Sequence, residues 1–109
     1  LFHYINRINF IEIYNSKAPR WANDKAMKIA QEYSKIGLAN SDSHVKEALG
    51  SAFNFVDSEP RPEDVLEALR KGKVRPKPVG LSAKAKLSII QWYIQRKLGL
   101  AENPCRAMR

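Results

Sequence analysis

Asp42 and His44 stand two residues apart in the run Asn40-Ser41-Asp42-Ser43-His44. In extended backbone, side chains at i and i+2 point to the same side. A carboxylate converging with an imidazole offers two ligands to a zinc, manganese or iron ion. Two donors do not fill a metal shell, so other ligands must come from elsewhere. A plainer reading is open too: Ser and Asp cap helices, and Ser41, Asp42 or Ser43 can simply start a helical turn at Val45.

The neighbouring patterns give this turn a setting. Ile8 to Tyr14 is rich in Ile and Phe and reads as a strand covered on both faces, followed by the loop signal Asn15-Ser16-Lys17-Ala18-Pro19. Residues 21–36 read as a helix, with Ala22, Ala26, Ile29, Tyr33 and Ile36 in one apolar stripe and Gly37 as its stop. Leu38-Ala39-Asn40 leads into the turn, and Val45 to Gly50 suits a single helical turn. Ser51 to Val56 alternates like a strand. Pro62, Glu63 and Asp64 open a helix with Val65, Leu66 and Leu69 as its packing face, and Gly72 ends it. Pro76 and Pro78 keep Lys73 to Val79 extended. The last helix runs from about Ser82 to Leu98, with Leu87, Ile90, Ile94 and Leu98 as its stripe and Gly99 as its end. Alternating strands and helices predict an α/β architecture. Functional groups in such folds lie beyond the carboxyl ends of the strands, where the Asp42–His44 turn belongs. Three or four short strands cannot close a full eight-stranded barrel, which takes about 250 residues.

In this order the chain resembles the PHP (polymerase and histidinol phosphatase) family of metal-dependent phosphoesterases. The likeness is carried by Phe10-Ile11-Glu12-Ile13-Tyr14-Asn15, a helix holding Ala26 and Ala30, then Leu38 to His44, and Leu49-Gly50-Ser51-Ala52. Val65 to Lys73 resembles the family's closing helix and basic exit. The Ser-Asp-Ser-His element is the most specific part, and Asn40 stands where the family usually has Gly. The resemblance implies the C-terminal part of a distorted (β/α)7 barrel, with short parallel strands alternating with helices and a long amphipathic helix at the end. It implies residues 1–80 as the PHP-like portion and 81–109 as a basic helix and tail. It also implies a cluster of up to three divalent metals in the complete domain, with Asp42 and His44 as the last ligand pair and as catalytic residues. The other family ligands come from elements this chain lacks, so the 109 residues alone are expected to be inactive. The expected partners are a phosphorylated substrate and the missing N-terminal part of the domain.

Other residues carry two readings each. Glu12 and Asn15 can face the substrate, or be a strand-end surface acid and a turn residue. His3 lies in no ligand-like context and reads as structural. Trp21, just before the helix, reads as a packing anchor. Residues 1–69 hold 8 Lys/Arg and 10 Asp/Glu, a net of −2, whereas residues 70–109 hold 11 and 1, a net of +10. Arg70, Lys71, Lys73 and Arg75 can therefore contact phosphate or nucleic acid, or form a solvated loop. Trp92 and Tyr93, opposite the Leu87–Leu98 stripe, favour a protein partner or a homo-oligomer through the last helix. A non-catalytic basic module that binds nucleic acid or a protein is the alternative to the enzyme. There is no 18-residue apolar run, no leader-like start and a single Cys105, which together predict no membrane span and a cytoplasmic location.

Overall fold

The apolar run after the first loop forms strand β1 (Phe10–Asn15) in the computed structural model, which describes residues 2–99. A 3-10 helix, Phe2–Arg7, precedes it and holds the exposed His3. Helix α1 (Arg20–Glu32) and strand β2 (Ile36–Asn40) follow. β1 and β2 pair in parallel, from Phe10 opposite Ile36 to Asn15 opposite Asn40. A parallel pair needs a crossover, and α1 provides it, packing on β1. Ala22, Ala26 and Ile29 lie on its covered side, as the apolar stripe predicts, and Ala30 beside them is buried.

The end of α1 departs from expectation. Gly37 does not stop the helix; it lies inside β2, as does Ile36. The helix stops at Tyr33 because Ser34 takes a left-handed conformation, φ 54°. Ser34 N–H then bonds Gln31 O at 3.3 Å, and Lys35 N–H bonds Ala30 O at 2.8 Å. This is the Schellman pattern, with Ser where Gly is usual. Gly37 serves a different purpose. A Cβ at that position would come within 2.7 Å of Ile13 Cδ1 and 2.9 Å of its Cγ2. Only a glycine lets the buried Ile13 fill the space across the ribbon. Trp21 is also not a packing anchor, since it is 70% exposed.

The second half is built differently. Strand β3 (Ala52–Val56) leads into helix α2 (Pro62–Arg70), which returns to strand β4 (Val74–Pro78). β3 and β4 are antiparallel, so the expectation of parallel strands holds for β1 and β2 only. The chain leaves β3 and enters β4 at the same end: Asp57 N–H bonds Lys73 O at 3.0 Å, and Val56 faces Val74. α2 is thus a helical insert in a hairpin rather than a crossover. At the other end Val79 N–H bonds Ser51 O. These flanking bonds set the ladder's phase. Pro76 and Pro78 fall at the alternate positions, where an N–H would point away from β3. Two prolines thus confine β4 to an edge.

Asn54 joins the halves. Its Oδ1 accepts from Ala39 N–H and its Nδ2 donates to Ala39 O, both at 2.9 Å. One side chain from β3 therefore supplies the free edge of β2 with the pair of bonds a neighbouring strand would make. Ala52 is buried, whereas Phe53 and Phe55 stack edge to face on the outer side of β3.

Helix α3 (Ala83–Lys97) begins at Ser82, whose Oγ accepts from Ala85 N–H at 3.1 Å. It packs on the 3-10 turn Lys46–Ala48. Small sealed side chains on both elements, Ala85 and Ala48, let the backbones approach. That contact turns the helix opposite to its predicted stripe. Leu87, Ile90, Ile94 and Leu98 are all more than half exposed, while Ser88, Ile89 and Trp92 lie toward the body. On α2 the predicted face holds in part: Val65 and Leu69 are half-buried and Ala68 is buried, while Leu66 is exposed. Among the described residues no large side chain is fully buried, and the core is mostly alanine.

Candidate functional site

The carboxyl ends of β1 and β2 carry Asn15 and Asn40, and the predicted ligand turn leaves from there. Asp42 is left-handed, φ 49°, so the turn is not the extended segment that i, i+2 geometry assumes. Asn40 Oδ1 accepts from Asp42 N–H at 2.9 Å. An asparagine in place of glycine thus closes the turn with its own side chain. His44 folds back over it: Nδ1 lies 2.8 Å from Asp42 O and 3.8 Å from Asp42 Oδ1. The two side chains do converge, through a turn rather than along a strand.

The helix-cap alternative finds no support. The 3-10 turn Lys46–Ala48 is preceded by Val45 and has no side-chain cap, and Ser43 Oγ donates to Val45 O at 2.7 Å.

A carbonyl oxygen only accepts, so a bond from His44 Nδ1 to Asp42 O uses an Nδ1 proton, and in the neutral ring that leaves Nε2 as the lone-pair donor. An imidazole fixed this way by a backbone carbonyl is arranged as metal-ligating histidines are. Asp42 and His44 side chains keep 40% and 37% of their surface in solvent, so both are open to a ligand. The donor set, one carboxylate and one imidazole Nε2, suits zinc, manganese or iron. Among the described residues no group of three or more His, Cys, Asp or Glu converges, so these two are a partial shell.

Glu12 and Asn15 join the site through an irregularity. In a regular strand, i and i+3 point to opposite faces. The register of β1 shifts between Glu12 and Tyr14, leaving Ile13 as an extra residue. This bulge brings Glu12 and Asn15 to the same side. Asn15 Nδ2 donates to Glu12 Oε1 at 2.7 Å and to Asp42 Oδ2 at 3.2 Å. Asn15 Oδ1 accepts from Lys17 N–H at 2.8 Å. The side chain is fully engaged inside the protein, so its evident work is to hold Asp42 and Glu12. Asn23 of α1 clamps its backbone in turn, accepting from Asn15 N–H and donating to Asn15 O.

The other predicted contacts lie elsewhere. Arg70, Lys71 and Lys73 sit where α2 passes into β4, and Arg75 stacks 5.6 Å from the Phe55 ring. This is the end of the β3–β4 hairpin remote from Ser51, and Ser51 bonds Ser16, just after β1, at 2.7 Å. Lys71 pairs with Glu67 at 3.3 Å. Cys105 and the basic tail fall outside the described residues. The residues not anticipated are Asn23 and Asn54, whose roles depend on tertiary contact, and Lys17. Trp92 was expected to face a partner but lies 5.0 Å from the His44 ring.

No helix among the described residues is long and apolar enough to cross a membrane. No curated protein and no solved structure matches the chain. The family described as PHP-associated matches residues 20–74, which include α1, the Asp42–His44 turn, β3 and α2. That match covers just over half of the sequence, and the chain belongs to the PHP-associated family as the C-terminal portion of a PHP-type protein.

Proposed function

We propose that this chain is the C-terminal part of a metal-dependent phosphoesterase and contributes Asp42 and His44 as metal ligands. The observation that carries the reading is their convergence within the family-matched region, with His44 Nδ1 tied to Asp42 O at 2.8 Å and Asp42 Oδ2 held by Asn15. Divalent metal bound there supplies Lewis acidity toward water and phosphoryl oxygen. The chain's own residues prepare the ligands: the Asn40 turn sets Asp42, the backbone carbonyl holds the His44 ring, and Asn15 ties Asp42 to Glu12. Glu12 keeps an exposed carboxylate beside this pair and is a candidate to face the substrate.

Two ligands do not make a hydrolase, so these 109 residues alone are expected not to turn over a phosphate ester. The rest of the shell belongs to the N-terminal part of the domain. The outward Leu87, Ile90 and Ile94 stripe and the Phe53–Phe55 pair are surfaces that such a neighbour, or a second copy, would cover. We place the parent enzyme in the cytoplasm, a location that the lone cysteine suits. The test is metal content and phosphatase activity of the parent protein. Asp42→Ala and His44→Ala should each lower metal affinity by roughly 100-fold or more, beyond the loss typical of an outer-shell change. Unchanged metal content and turnover in both variants would contradict the proposal.

A further inference from the structure

Lys17 lies beside the ligand turn and meets no carboxylate among the described residues. Its Nζ lies 3.3 Å from His44 Nδ1. The same nitrogen lies 2.8 Å from Asp42 O, and it serves one contact at a time: as a donor it bonds the carbonyl, as an acceptor it takes the ammonium. Lys17 Nζ also lies 5.7 Å from the Trp92 ring centroid. Arg96, one turn further along α3, places its Cζ 5.3 Å from the same centroid. Among the described residues neither cation meets a carboxylate, and both are exposed. One indole thus gathers two cations that meet no carboxylate and the candidate ligand His44, whose ring centroid is 5.0 Å away. An ammonium and a guanidinium with no carboxylate between them are what an anion would complete.

We propose that Lys17 and Arg96, gathered on Trp92, form a phosphoryl-binding subsite beside His44, and that α3 thereby contributes to substrate binding. The choice of a phosphate monoester group as the ligand rests on the phosphoesterase reading. The geometry itself asks only for a compact, doubly charged anion. None of the three residues lies within the family-matched segment, so this subsite would be a property of this protein's own flanks.

Inorganic phosphate is the probe, titrated without metal into the 109-residue chain at low salt and followed by amide and indole NMR shifts. Saturable shifts should centre on Lys17, His44 and the Trp92 indole N–H. Lys17→Gln and Arg96→Gln should each weaken binding roughly tenfold, the scale of one charged hydrogen bond. Lys71→Gln and Arg75→Gln should leave it unchanged. Both test positions are exposed, and Trp92→Phe offers a third variant that keeps a ring against His44. Phosphate affinity that survives Lys17→Gln and Arg96→Gln, or shifts centred on residues 70–77, would overturn the subsite. Asp42→Ala should retain phosphate binding. Loss of metal binding with phosphate binding intact separates the fate of this proposal from that of the metal reading.

Discussion

The two ends of this molecule that carry polar or charged side chains are organised in opposite ways. At the carboxyl ends of β1 and β2, the charges are fewer and the polar side chains bond one another. Asn15 alone bonds Glu12, Asp42 and the Lys17 backbone, and Asn23 holds Asn15. At the α2–β4 junction, the charge is dense, but its side chains point outward. Lys71 pairs only with Glu67 along its own helix, and Arg75 rests on Phe55. A site needs its groups held in one geometry before a ligand arrives. Only the first end has that property, through a bulge, a left-handed Asp42 and an Asx-type turn. Local charge density therefore points to the less organised of the two ends.

The largest break in this contrast should come from Asn15→Ala. It removes the amide that ties Glu12 to Asp42, and metal affinity of the parent protein should fall about 10- to 100-fold, as for other outer-shell changes. Isothermal titration with zinc or manganese would measure it; an unchanged affinity would mean that the network is incidental. Next in size is Gly37→Ala. Its Cβ would meet Ile13 at 2.7 Å, so thermal or urea unfolding should show a loss of about 1–3 kcal/mol from overpacking. A neutral result would show that Ile13 has room to move and that β1 is less fixed than its bulge suggests. Lys71→Ala should have the smallest effect. The ion pair is exposed on both sides, so unfolding should shift by no more than about 0.5 kcal/mol. A larger loss would mean that the basic end is also organised.

Much of this was legible in the sequence. The alternation of strands and helices, the α1 stripe as far as Ile29 and Gly72 as the end of α2 follow from periodicity and stop signals; the Asp42–His44 pair follows from motif spacing, although the extended geometry expected for it is not the one found. What was not legible has a common cause. The stop of α1 at Ser34 requires a non-glycine residue in left-handed backbone, which no residue type announces. Asn54 looks like an ordinary polar position in an alternating strand; its bonds to Ala39 exist only once β2 lies beside it. The antiparallel β4 was implied by its prolines only in retrospect, since they fix an edge and not a direction. α3 illustrates the limit best. Its large aliphatic residues form a clear stripe, yet the contact with the Lys46–Ala48 turn selects the small Ala85 and brings Trp92 to His44. Periodicity shows that a helix has two faces; the size of the gap to be filled decides which one turns inward.

Manganese-induced line broadening in the 109-residue chain tests the central claim most directly. The account predicts that substoichiometric manganese broadens the resonances of Asp42 and His44 first, with Glu12 and Asn15 next, and that Asp42→Ala and His44→Ala each abolish this pattern. Broadening that begins at other carboxylates, or that persists unchanged in both variants, would contradict the assignment of this turn as half of a metal site.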